Sequence, residues 1–288
     1  MYEVSRTADG LKVLTEKLGR PIVYLDHWAF NEIALASAVR EKFVKAMVRL
    51  KGTLRVSVYN VVELIHQTDP SQRESIVSLL DEVDSGFIHI NPQEVIQRED
   101  ERLHGAGTFL NPSSELSVLN VYYVAMNHPE IIRPSDVVNT VLSVADANDF
   151  RANDESYSAE LASMLVAARA SETQIAKHKA RFQMLRSRAP AHETATRELV
   201  EMALCFLITN RTMKMSQFSE WRDLFHVVVP VAYCDIALID RRWINFIKQT
   251  GMRPPAIAYT FDKRELANFF DVLEKWPGLA ARGCPIPS

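Results

Sequence analysis

The sequence predicts an α/β protein with a central parallel sheet of about five strands and helices against both of its faces. Three features predict this. Short β-branched or aromatic runs recur at 21–25, 54–58, 87–90, 236–239 and 256–260. Longer stretches with apolar residues at helical spacing separate them, as crossovers covering a parallel sheet must. A middle stretch, 103–215, carries helical patterns and no run that reads as a strand. It is therefore predicted as a helical insertion that divides the core into 1–102 and 216–288.

"PIVYL" opens the core, held between Pro21 and Asp26, and reads as a buried strand. An amphipathic pattern then runs from about Trp28 to Lys51 and stops at Gly52. "LRVSV" is the second strand. "NVVELIHQ" turns helical, with Asn60 as its cap. "PSQRESIVSLLDEVDSG" is a helix with Pro70 at its start and Gly86 at its end. "FIHI" is the third strand, and Pro92 opens the next helix. In the middle, "GAGTFLNPSS" reads as a loop, and 155–185 and 192–215 as long helices. The α/β pattern resumes with "SEWRDLFHVVV", a helix capped by Ser219. "IALI", "DRRWINFIKQ", "AIAYT" and "DKRELANFFDVLEK" then follow as strand, helix, strand and helix, the last capped by Asp262.

The 288 residues are 47% hydrophobic and 24% charged, which suffices for a sizeable core. A net charge of −3 excludes a global basic field, so any nucleic acid must meet a local patch. The three cysteines, Cys205, Cys234 and Cys284, fit neither a zinc site nor a disulfide framework. They read as reduced thiols of a cytoplasmic protein. "MYEVSRTADG" does not read as a signal peptide, and no apolar stretch approaches a membrane span, so no membrane partner is expected.

Ligands of parallel sheets bind outside the carboxyl ends of the strands. Asp26 directly follows the first strand and Asp240 the fourth. Glu63 lies near the start of the helix after the second strand, inside the aliphatic run "VVELI". Buried carboxylates are normally paired or bound to metal. Asp223 lies in the first turns of the helix that leads to the fourth strand. Singly, each acid fits an ordinary cap or a favourable place on a helix dipole. Together they mark one edge of the sheet. Asp235, at the other end of the fourth strand, lies about 17 Å from Asp240 in a regular strand. It therefore reads as a cap of the strand entrance, supporting the site from outside.

"VYLDHWAF", "SVYNVVELIH" and "WRDLFHVVVPVAYCDIALIDRRW" resemble the acidic motifs of the PIN-like nucleases. The resemblance covers about 20–90 and 215–275. It implies a three-layer α/β/α fold and a pocket of four acids that holds Mg²⁺ or Mn²⁺ and cleaves RNA. Carried onto this chain, the catalytic and metal-binding residues are Asp26, Glu63, Asp223 and Asp240, with Ser57 as a supporting hydroxyl. Two departures stand out. The segment between the second and third motifs is far longer here, and the Ser or Thr often found before the last acid is replaced by Leu238 and Ile239. His27 and His226 are extra polar groups beside two of the acids, and His226 shares a helix face with Asp223.

Such a site suits phosphodiester hydrolysis, in which a carboxylate-bound cation activates water and neutralises phosphate charge. Without a cation the clustered carboxylates repel, and some take up protons. The substrate backbone needs basic groups. "KHKARFQMLRSR" offers Lys177, Arg181 and Arg188 on one helical face, and Arg241 and Arg242 stand beside the acidic edge. Replacing the first three by Ala should shrink the salt dependence of binding. Asp149 and Asp154 read as turn and cap residues. The expected partner is single-stranded or structured RNA, with room for a protein inhibitor and for a homodimer. The competing readings are a silent RNA- or protein-binding module and the toxin half of a toxin–antitoxin pair. A haloacid-dehalogenase-type phosphohydrolase would need an Asp where Trp28 stands.

Overall fold

The computed structural model describes residues 2–10, 12–65, 67, 69–105, 133–144, 156, 159–160, 162–188, 195–210 and 220–279. Asp149, Asp154, Cys284, Ser219 and most of the "GAGTFLNPSS" loop lie outside the described residues. The core is a five-stranded, all-parallel sheet. Its strands are β3 (Ile22–Leu25), β4 (Thr53–Val56), β5 (Asp84–Phe87), β6 (Ile236–Leu238) and β7 (Tyr259–Phe261), in the order β5-β4-β3-β6-β7. The chain builds outward from β3 in one direction, then returns to pair β6 on its other side. The strand order thus reverses between β3 and β6, and a crevice opens there at the carboxyl ends.

Both faces of the sheet are buried, as a parallel sheet requires. On one side Val23, Leu25, Leu54 and Leu238 pack under α1 (His27–Leu35), α2 (Ser37–Leu50), α4 (Pro70–Glu82) and α11 (Leu266–Leu279). On the other, Tyr24, Ala237 and Ile239 pack with α5 (Pro92–Leu103), α7 (Glu172–Arg186), α8 (Ala195–Thr209), α9 (Glu220–Tyr233) and α10 (Arg241–Thr250). The middle of the chain feeds both layers. Val137 and Val138 of α6 (Pro134–Val144) join the first, and the apolar face of α8 joins the second. Among the described residues no helix is long and apolar enough to cross a membrane.

Several elements differ from the sequence reading. The helix expected over 28–51 is two helices broken at Ala36, which is extended. Arg40 and Ser75 side chains donate to the Ala34 carbonyl at 3.2 and 3.1 Å and so satisfy an acceptor that the end of α1 leaves open. The third strand is not "FIHI" but starts earlier, at Asp84, with Gly86 inside it. A Cβ at Gly86 would sit 2.9 Å from Arg55 Nη1 and 3.0 Å from Glu16 Oε1, so glycine here makes room for a buried ion pair rather than ending a helix. The last strand starts at Tyr259 and not at Ala256, because Ala258 N is spent on the Val231 carbonyl at 2.8 Å. α9 runs through Pro230 to Tyr233, held by the buried run Val227–Val229. The long pattern 155–185 is interrupted at Ser171, whose side chain caps α7 through Gln174 N. α7 ends at Arg186, so Arg188 does not share its face.

An antiparallel hairpin, β1 (Tyr2–Arg6) and β2 (Lys12–Glu16), precedes the core. The sequence reading had no strand there. Its last residue, Glu16, is ion-paired with Arg55, which is 1% exposed and also donates to the Phe87 carbonyl at 2.8 Å. The pair joins the hairpin to β4 and β5.

Candidate metal centre

Asp26 leaves β3 where Asp26 N bonds the Leu238 carbonyl of β6 at 3.0 Å, which puts it in the crevice between the two strands. It is the N-cap of α1, but its Oδ1 accepts from His27 N at 2.7 Å, within the first turn. Glu63 comes from the helix after β4, α3 (Val58–Ile65). That helix starts two residues before Asn60, the expected cap. Ser57 takes the cap role: its Oγ accepts from Asn60 N at 3.2 Å, while Asn60 Oδ1 accepts from Ser57 N at 2.9 Å. This reciprocal pair orients α3 and its acid. His226, 1% exposed, reaches the same place from α9.

Asp26, Glu63 and His226 each offer one ligand atom, and the three atoms lie within 4.8 Å of one another. His226 Nε2 stands 3.7 Å from Glu63 Oε1, and His27 Nδ1 stands 3.7 Å from Glu63 Oε2. Burial pushes the Asp26 carboxyl up to about 7, and the charge of Asp240 adds to this, against the His27 N–H bond and the Arg242 charge. Asp240 is exposed at the rim, at the N-cap position of α10, and makes no side-chain cap bond to it. Its acceptors are thus not spent on the helix.

The other expected site residues are placed as follows. Asp223 is ion-paired with Arg242 and is not among the three clustered donors. Arg242 also lies over the Trp243 ring, 5.8 Å from its centroid. Arg241 Nε stands 4.0 Å from Asp262. Both arginines therefore lean on acids of the chain itself. Asp235 accepts from Ile22 N at 2.7 Å and from Arg20 at 3.0 Å, at the amino end of the sheet, as a strand-entrance cap does. Lys177 is exposed on α7, whereas Arg181 is ion-paired with Glu201 of α8.

Two residues with a part in this centre had no such role in the sequence reading. Tyr24 Oη is hydrogen-bonded to His226 Nδ1 at 2.5 Å and to Ser57 Oγ at 3.2 Å. Its burial pushes the phenol well above its ordinary value, so it stays protonated. Asn60 closes the network behind Ser57. The chemistry of the donor set fits a divalent cation: two carboxylates, one of them costly to ionise where it stands, and a buried imidazole. Comparison with protein-family models, curated proteins and solved structures finds no match for this chain.

Proposed function

We propose that the protein is a divalent-metal-dependent nuclease that hydrolyses phosphodiester bonds in RNA. The observation that carries this reading is the meeting of Asp26, Glu63 and His226 at the carboxyl edge, where the strand order reverses. These residues would hold the cation, with Asp240 at the open rim beside Asp26. A bound Mg²⁺ or Mn²⁺ supplies positive charge to a phosphate and a more acidic water. The chain's own residues do the rest. His27 N–H fixes one oxygen of Asp26, leaving the other for the crevice. The Ser57–Asn60 box sets the angle of α3 and with it Glu63. Lys177 of α7 offers an exposed positive charge to a polyanion. The likeness of the acidic motifs to PIN-like nucleases points to the same chemistry and to RNA.

The test is cleavage of a panel of single-stranded and folded RNAs and DNAs with Mg²⁺, Mn²⁺ or EDTA. Wild type should cut RNA with metal and not with EDTA. Asp26→Asn and Glu63→Gln should each lower the rate by at least about 100-fold, as loss of a direct ligand does. Equal cutting by wild type and both variants would refute the assignment of the site. Divalent-cation binding with no cutting of any substrate would favour a binding module.

A further inference from the structure

We infer that Asn60, Ser57 and Tyr24 form a hydrogen-bond relay that holds the proton of His226 on Nδ1 and turns its Nε2 lone pair toward Asp26 and Glu63. The inference rests on the metal-site reading above and deepens it. It makes Tyr24 a positioning residue and Nε2 the nitrogen donor of the site.

Proton counting carries it. The backbone fixes the Asn60 amide: Nδ2 donates to the Leu25 carbonyl at 3.2 Å, and Oδ1 accepts from Ser57 N at 2.9 Å. The flipped amide would set donor against donor and acceptor against acceptor. Asn60 Oδ1 is therefore an acceptor, and Ser57 Oγ, 2.9 Å away, must give its only proton to it. Ser57 Oγ also accepts from Asn60 N at 3.2 Å. One lone pair remains on it, and Tyr24 Oη is 3.2 Å away. With the serine proton spent, the tyrosine proton must fill that contact. Tyr24 Oη then has only lone pairs for His226, so Nδ1 carries the hydrogen. In the neutral ring the second nitrogen then carries the lone pair, and it stands 3.7 Å from Glu63 Oε1.

A histidine that binds metal through one nitrogen normally donates its other N–H to a fixed acceptor, which sets tautomer and ring angle. Here a buried tyrosine is that acceptor. Imidazole nitrogen suits Mn²⁺ and later transition ions better than Mg²⁺, which demands oxygen. The relay thus assigns the site to a cation that accepts nitrogen, Mn²⁺ ahead of Mg²⁺.

The test reads the tautomer directly, without metal. Nitrogen-15 NMR of ring-labelled histidine in metal-free protein should show His226 protonated on Nδ1, with Nε2 of the unprotonated type. Ser57→Ala should reverse this, because Tyr24 is then released to donate to Nδ1. Ser57 touches neither His226 Nε2 nor the carboxylates, so a packing role would not produce that reversal. Tyr24→Phe should leave a mixture and weaken Mn²⁺ binding by about 10–100-fold by electron paramagnetic resonance, with far-UV circular dichroism unchanged. Mg²⁺ competition should be less affected. Hydrogen on Nε2 in wild type, or a tautomer unchanged in Ser57→Ala, would overturn the relay even if the protein cuts RNA. No divalent-cation binding by wild type would overturn the nuclease reading and the Mn²⁺ preference, and leave the relay to be decided by the metal-free spectra.

Discussion

Replacing Asp26 by Asn should stabilise the metal-free protein, and by an amount that depends on pH. Asp26 is held in a site that opposes its charge, so its carboxyl rises from the ordinary 3.8 to about 7. A raised carboxyl weakens the fold, the reverse of a salt-bridged acid. Below 3.8 both folded and unfolded chains hold the proton and there is no penalty. Between 3.8 and about 7 the unfolded chain ionises first, and the penalty grows with pH. Above that window it is constant. The full displacement corresponds to about 4 kcal/mol. Water reaches a partly buried side chain, so about 1–3 kcal/mol is the expected gain at pH 8. Asn keeps the N-cap, because its amide oxygen accepts as the carboxylate does. Urea denaturation in EDTA at pH 4, 6 and 8 measures this. The gain of Asp26→Asn should be near zero at pH 4 and complete by pH 8. Asp240→Asn should give a smaller gain over the same window, since its charge is the lesser cause. A variant no more stable than wild type at pH 8, or equally stabilised at pH 4 and 8, would refute a carboxylate whose burial opposes its charge.

Glu16→Ala leaves Arg55 buried without its carboxylate and should cost about 3 kcal/mol in urea denaturation. The double change Glu16→Leu and Arg55→Met should recover most of that loss. Tyr233→Phe removes the 2.6 Å bond to Glu99, a carboxylate 2% exposed that also accepts from Thr196 N at 3.2 Å, and should lower stability by about 1–3 kcal/mol by the same assay.

The parallel sheet and the place of Asp26 and Asp240 were legible because they depend on local order, a strand, then an acid, then a helix, and Glu63 because a charge stands inside the aliphatic run of α3. What was not legible depends on pairs distant in sequence. Asp223 is held by Arg242, 19 residues on and in another helix, and no local pattern announces that ion pair. His226 was legible as a supporting polar group on the helix face of Asp223, but not as a donor that meets Asp26 and Glu63. Tyr24 reads as one more core aromatic within "PIVYL", and its partner lies 202 residues away. The third strand was misplaced because Asp84, Ser85 and Gly86 are turn-forming types. Pairing with Thr53, Leu54 and Arg55 overrides that preference, and the clearance needed by Arg55 selects the glycine. The break at Ala36 is accompanied by Arg40 and Ser75 donating to one carbonyl, a contact that helical periodicity cannot reveal.

The reversal of strand order beside β3 has a consequence for how the protein is made. Chains emerge amino end first, and domains fold as they appear. β3, β4 and β5 can pair early, yet the other edge of β3 must wait for β6, as the 213-residue separation of Ile22 and Asp235 records. Until then an apolar strand shows an open edge, a hazard for pairing with other chains. The same delay withholds His226 from Asp26 and Glu63. The nascent chain therefore cannot bring these three side chains together until the segment through His226 has left the ribosome.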